Sequence, residues 1–295
     1  MQLAWLGTGL MGEPMALRLM QQGHSLIAYN RTPEKLASLQ AAGADIAPTP
    51  EAAIASADGI FLMLTHAAAI SATLLTPTSL GSLSGKTVVQ MGTIAPEESI
   101  AICQIVTTAG GHYLEAPVLG SIPEAKLGQL LLMVGAEKSL FEQWLPILQS
   151  FDPNPTWFGA VGTASMAKLA LNQLIGALTS AFGLSLALVQ SSGVEVETFM
   201  QILRQSALYA PTFDKKLQRM CDRHYEKPNF PTQHLLKDIN LAITSAEIRG
   251  LNTQAVQGVR SVLEATMALG LGDQDYSALF SAITPLIETG QSENA

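Results

Sequence analysis

Six residues near the amino terminus, Gly7-Thr8-Gly9-Leu10-Met11-Gly12, fit the spacing G-x-G-x-x-G. The chemistry open to such a run is capture of a pyrophosphate by the backbone. The first glycine permits a tight turn, the second lets the chain approach the phosphates, and the third lets helix and strand pack closely. The spacing alone is weak. It gains weight from its setting, because the apolar run 3–6 precedes it and an amphipathic helical pattern through Met20 follows. The helix N-terminus would then add N–H groups and a partial positive charge. A second glycine cluster, from Gly81 to Thr87, is one residue short of a phosphate loop and precedes a strand instead of a helix. It reads as a turn with a solvated Lys86.

The second apolar run, 26–29, ends in Asn30-Arg31-Thr32. A dinucleotide fold that prefers NAD places a carboxylate here for the ribose 2′-hydroxyl. No carboxylate is present at these positions. A guanidinium forms charge-assisted bonds with a 2′-phosphate, which a carboxylate would repel. Asn30, Arg31 and Thr32 therefore favour NADP(H). The same three residues match a glycosylation sequon, a reading set aside because no secretory signal precedes them.

The elements that must position these residues follow from periodicity. Strands are predicted at 3–6, 26–29, 60–64, 87–91, 113–118, 130–134 and 156–158. Helical patterns lie between them at 33–42, after Pro96 and at 140–148. Strands alternating with helices argue for a parallel sheet covered on both faces. From about Thr163 the pattern is helical only, at 165–190, 195–204, 234–248, 253–269 and 275–287. Loop chemistry falls around Pro211 and Pro228 to Pro231. The expected fold is α/β, a Rossmann-type domain over 1–162 followed by an all-α substrate and oligomerisation domain over 163–295. Residues 290–295 read as a frayed tail.

Composition bounds the rest. The chain has 295 residues, of which 48% are hydrophobic and 14% charged, which excludes a disordered chain. The net charge of −8 excludes bulk binding to nucleic acid, so an anionic ligand must be held by local cations or backbone N–H groups. Cys103 and Cys221 have no metal-like spacing, and neither do the five histidines, so no metal is expected. Unpaired cysteines without a targeting segment point to a reduced cytoplasmic protein. Residues 174–189 carry no charge. They fall short of the roughly 20 residues a membrane span needs, and read instead as a helix buried within the second domain.

Several segments, in this order, resemble the β-hydroxyacid dehydrogenase family. They are GTGLMGEPMALRL from Gly7, MGTIAP from Met91, EAPVLGSIPEAKLGQL from Glu115, GAVGTASMAKLALN from Gly159 and FPTQHLLKDINL from Phe230. The resemblance spans essentially the whole chain and is nearest to the glyoxylate/succinic semialdehyde reductase branch, which prefers NADPH. It implies that Lys168 is the catalytic lysine. In the reducing direction that lysine would donate a proton to the carbonyl oxygen, and in the oxidising direction it would take the proton back. Asn172, four residues on and on the same helix face, would hold the substrate or orient the lysine. The resemblance also places Thr93 near nicotinamide and substrate, and Met63 and Leu64 along the cofactor. Leu119, Gly120 and Ser121 form the substrate-carboxylate segment. Phe230, Lys237 and Asp238 are the second domain's contribution, with Lys237 also toward the cofactor.

Two positions depart from the family pattern. Leu119 stands where a serine is usual, and a leucine cannot donate a hydrogen bond, which leaves the substrate open. Ala164 replaces a glycine, which is tolerated where φ is negative. The resemblance implies an NADPH-dependent reductase of small carboxylate-bearing aldehydes or oxo acids, working as a homodimer or homotetramer without membrane or nucleic-acid partners. The alternatives are an NAD-dependent 3-hydroxyisobutyrate-type dehydrogenase and a non-catalytic cofactor-binding scaffold.

Overall fold

The computed structural model describes residues 1–284. The expected tail at 290–295 and the end of the helix predicted at 275–287 lie outside the described residues. The described residues form two compact units that divide between 170 and 171.

The first unit is built on a sheet whose strands are β1 (Gln2–Leu6), β2 (Ser25–Tyr29), β3 (Asp45–Ile46), β4 (Gly59–Leu62), β5 (Thr87–Gln90), β6 (His112–Glu115), β7 (Val118–Leu119), β8 (Leu131–Gly135) and β9 (Thr156–Gly159). The order is β3-β2-β1-β4-β5-β6-β8-β7, with β9 on β8. Strands β1 to β6 pair in parallel, and β8 runs antiparallel to β6 and β7. Side chains alternate across the sheet. Leu3, Trp5 and Phe61 face a core with Met15 and Leu19 of helix Gly12–Gln21, while Ala4, Leu6 and Leu62 face a second core with Ile54 and Ile70. Both faces are thereby covered, which is why these strands read as unbroken apolar runs. Order reverses at β1, and sheets of this kind bind ligands at the carboxyl ends of the strands beside that reversal, here β1 and β4.

Local chemistry moved several boundaries. The strand predicted at 113–118 breaks after Glu115, because Pro117 has no N–H for a ladder. The helix predicted at 33–42 opens as a 3-10 turn, Pro33–Leu36, before one α-helical turn, Ala37–Ala41. The short Pro50–Ala55, Ala67–Leu74, Pro77–Leu80 and Ile122–Leu127 helices carry too little apolar periodicity to be predicted.

In the second unit the helices are the remainder of Thr163–Ser191, then Val196–Gln205, Pro211–Cys221, Thr232–Glu247, Gln254–Ala268 and Leu279–Ile283. The loop expected around Pro211 is instead a helix with proline in its first turn, where the missing N–H is harmless. Phe213, Lys216 and Met220 form its buried face. Phe182, Leu186, Met200, Leu235, Ile239 and Leu263 make the core. The uncharged stretch of Thr163–Ser191 departs from the fully buried helix expected. Only 28% of its most apolar window is buried, and Leu174, Leu178, Leu184 and Leu188 stand exposed. Among the described residues it is also the one helix long and apolar enough to cross a membrane.

Candidate active site

The glycine loop runs from the end of β1 into helix Gly12–Gln21, and each glycine has its own reason. Gly7 has φ +104°, and a Cβ there would collide with the carbonyl oxygen of Met63. A Cβ on Gly12 would collide with the carbonyl oxygen of Gly7. Gly9 is different: a Cβ there would meet nothing within 4 Å. The fold itself does not demand a glycine at that position, whereas a pyrophosphate approaching the backbone does. The residues present thus fit a dinucleotide.

Asn30 joins β2 to this loop. Its Oδ1 accepts from the Thr8 backbone N–H at 3.1 Å, and its Nδ2 donates to the Thr32 carbonyl at 2.9 Å. One end of the amide thus holds the glycine loop and the other holds its own turn after β2. Arg31 is exposed and makes no hydrogen bond or ion pair among the described residues. Thr32 is exposed beside it.

Met63 and Leu64 follow β4, where Leu64 Cδ2 lies 3.0 Å from the place a Gly7 Cβ would occupy. A Cβ on Gly92, after β5, would collide with the carbonyl oxygen of Leu64. The glycine loop, 63–64 and the 92–93 segment with half-buried Thr93 thus abut in sequence along the carboxyl edge of the sheet. Leu119 is half-buried at the end of β7, and Gly120 has φ +135°. Ser121 caps the next helix. Its N–H and Oγ both donate to Glu124 Oε2, at 2.8 and 2.6 Å, so its polar groups are turned to its own helix.

Lys168 sits in the second turn of Thr163–Ser191, only 8% exposed. The start of that helix is fixed by Glu115, a residue that sequence reasoning gave no role. Its carboxylate is fully buried and accepts at Oε1 from the N–H groups of Gly162, Ala164 and Ser165, at 2.8, 2.9 and 3.1 Å. Oε2 accepts from the hydroxyls of Ser165 and Ser99, each at 2.6 Å. A signal was present: an acid inside the apolar run YLEAPV must be hydrogen-bonded to be tolerated there.

In the second unit Asn172, Lys237 and Asp238 come together. Asn172 Nδ2 donates to Asp238 Oδ2 at 2.6 Å, and Lys237 Nζ lies 2.8 Å from Asp238 Oδ1. Burial lowers the His234 imidazole pKa, and Lys237 adds to that effect. Phe230 packs edge-on against Tyr276, with ring centroids 5.9 Å apart. Sequence reasoning also missed Lys216 and Asp275, which pair at 2.7 Å in the interior. Sitting 59 residues apart, they offered no local pattern.

Residues 2–166 match the family described as the NAD-binding domain of 6-phosphogluconate dehydrogenase. Residues 162–283 match the family described as NAD-binding of NADP-dependent 3-hydroxyisobutyrate dehydrogenase. The chain is 30% identical to glyoxylate/succinic semialdehyde reductase 1 of Arabidopsis thaliana, over 96% of this chain and 98% of that one. It is 31% identical to the chloroplastic reductase 2 of the same plant, over 95% and 79%. Among solved structures, the 3-hydroxyisobutyrate dehydrogenase of Mycobacterium tuberculosis superposes with a TM-score of 0.87 at 21% identity, covering 96% of this chain and 99% of that one. The glycine loop at the sheet's carboxyl edge, the lysine-bearing helix and these matches agree: the chain belongs to the β-hydroxyacid dehydrogenase family, NAD(P)-dependent oxidoreductases that act on CH–OH groups of small hydroxy acids or the corresponding oxo acids.

Proposed function

We propose that the protein is an NADPH-dependent reductase that converts a small carboxylate-bearing aldehyde or oxo acid to the hydroxy acid, with succinic semialdehyde and glyoxylate as leading substrates. The observation that carries this reading is Lys168, an ammonium group almost wholly buried within an apolar helix. An ammonium kept from bulk water in this way can pass its proton to a substrate oxygen rather than to solvent. NADPH, when bound, supplies the hydride. Lys168 donates a proton to the carbonyl oxygen as the carbonyl carbon is reduced, and the neutral amine takes it back in the oxidising direction. Asn172 orients the reacting oxygen or the lysine, with Asp238 behind it.

Residues 7–12, with Met63 and Leu64, would hold the dinucleotide, Arg31 and Thr32 the 2′-phosphate, and Asn30 the loop itself. Lys237 would add positive charge on the cofactor side. Thr93, Leu119, Gly120, Ser121 and Phe230 would bound the substrate. Leu119 makes that pocket more apolar than a serine would, which favours the longer succinic semialdehyde over glyoxylate. Domains over 1–162 and 163–295 would divide cofactor binding from substrate binding and oligomerisation, and the exposed leucines of Thr163–Ser191 support a homodimer or homotetramer. The test is a panel of aldehydes and oxo acids with NADPH and with NADH, run on parent and Lys168→Ala. Reduction with NADPH that falls by about 10²-fold or more in the variant supports the reading. Turnover by Lys168→Ala at the parent rate, or no reduction of any substrate by the parent, overturns it.

A further inference from the structure

We propose that Glu115 is a positioning residue for catalysis: its buried carboxylate sets Lys168 in register with the two strand-end segments that complete the first unit's share of the site. The inference rests on Lys168 being the proton donor. Glu115 ends β6, and Leu119 to Ser121 follow it by four to six residues. Ser99, bound to Oε2, is in the first turn of helix Pro96–Thr108, which begins three residues after Thr93. Gly162, Ala164 and Ser165, bound to Oε1, open the helix in which Lys168 comes one turn later. One side chain therefore ties together the roots of three segments, each a few residues from a proposed site residue.

The surroundings are shaped for that group. A Cβ on Gly135 of β8 would collide with Glu115 Oε1, so glycine leaves room for the carboxylate. Gly162 has φ +100°, a conformation other residues rarely adopt, and its N–H donates to Oε1. Tyr113 Oη lies 3.0 Å from Ser99 Oγ, extending the network along β6. The carboxylate takes up donors that a helix N-terminus otherwise leaves unmatched, and its charge opposes the positive end of the helix. Five donors on one fully buried carboxylate leave it little freedom to shift.

A group that only stabilised the fold would change the melting temperature and leave kcat alone. A positioning group must move kcat in folded protein. Glu115→Gln keeps the shape but turns one acceptor oxygen into a donor facing two hydroxyls, so the clamp loosens. We expect kcat to fall about tenfold in Glu115→Gln, since small misplacements of catalytic groups have effects of that order. The dissociation constant for NADPH should stay within about twofold, because the glycine loop is untouched. Amide hydrogen exchange at 162, 164 and 165 should quicken. A folded Glu115→Gln protein with kcat within about twofold of the parent overturns the proposal. Should that variant not fold, Ser165→Ala removes one donor only and is expected to lower kcat about threefold, with a parent-like kcat again overturning it. Lys168→Ala run alongside separates the two ideas: if it keeps parent activity, the proton-donor reading fails, and if it is inactive while Glu115→Gln is fully active, only the positioning role fails.

Discussion

The amide of Asn172 is held by Asp238 through a 2.6 Å hydrogen bond from Nδ2 to Oδ2, and both residues are buried. The orientation of the amide follows, because only an NH2 group can donate to that carboxylate. Asn172 Oδ1 is thereby left buried and without a hydrogen-bond partner. The other carboxylate oxygen, Oδ1 of Asp238, lies near Lys237 Nζ at ion-pair distance without hydrogen-bond alignment. An asparagine fixed in this way presents an acceptor, suited to an ammonium or a hydroxyl and unsuited to a substrate carboxylate.

Asn172→Asp tests that geometry. It would set two carboxylates against each other, and one must take up a proton, so the new carboxyl would titrate above its usual range. A folded-state pKa raised in this way penalises the ionised protein. The variant should be less stable than the parent by about 1–3 kcal/mol at pH 8, and the deficit should shrink as pH falls through that raised value and level off near the ordinary carboxylate pKa of about 4. Urea unfolding at several pH values reads this directly, and a deficit that does not depend on pH would contradict it.

Cofactor choice separates Arg31 from its neighbour. Arg31 is exposed and makes no hydrogen bond or ion pair among the described residues, whereas the Asn30 amide is spent on the glycine loop at one end and on its own turn at the other. Arg31→Asp should weaken NADPH by about 10–100-fold and leave NADH within a few-fold, because only the 2′-phosphate interaction is lost. Asn30→Ala should weaken both by a similar factor of about tenfold, because it frees the Thr8 N–H and slackens the glycine loop. Fluorescence titration of each variant with both cofactors distinguishes the two. Equal losses in Arg31→Asp would remove the 2′-phosphate assignment.

What the sequence disclosed and what it hid divides by the range of the interaction. Gly7 to Gly12 were legible because the turn, the close approach and the helix start are all local requirements within one short motif. The apolar strands were legible because both faces of the sheet are covered. Pro211 was misleading: the cue for a loop and the cue for a helix start share one residue, and the buried face of Phe213, Lys216 and Met220 contains a charge that breaks the apolar pattern. Glu115 and the Lys216–Asp275 pair depend on partners 16 to 59 residues away, which periodicity does not register. The exposed leucines of Thr163–Ser191 were apolar in sequence, but composition alone does not distinguish a helix in a core from one with an open face.

The Lys216–Asp275 pair has a definite consequence for stability. Lys216 Nζ donates to both oxygens of Asp275, and the Ser277 N–H and hydroxyl donate to the same carboxylate. Burial alone would raise the Asp275 pKa, but the ammonium and these hydrogen bonds hold it below the usual carboxylate range. The stabilisation is thus present above the unfolded carboxylate pKa of about 3.9 and is lost as pH falls through the depressed folded value. Asp275→Asn leaves the buried ammonium unpaired and should destabilise the protein by about 3–5 kcal/mol near neutral pH. Lys216→Met with Asp275→Leu should cost less than that single change. Thermal melts across pH check both, and a single variant more stable than the double would refute the account.

The apolar face of Thr163–Ser191 makes the last prediction. Leu174, Leu178, Leu184 and Leu188 recur at helical spacing and are 38% to 60% exposed. Such a stripe on a long helix is what a second copy of the chain would bury, each leucine contributing about 1.5–3 kcal/mol if fully covered. Leu178→Glu with Leu188→Glu should convert a dimer or tetramer to smaller species in light scattering, because buried charges without partners oppose association. The core residues Phe182 and Leu186 lie on the buried face of the same helix, so the variant should keep its circular dichroism and its glycine loop. NADPH affinity should stay within about twofold. A parent chain that is monomeric in solution would refute pairing through this face, and one recovered only with lipid or detergent would show the stripe to be covered by membrane.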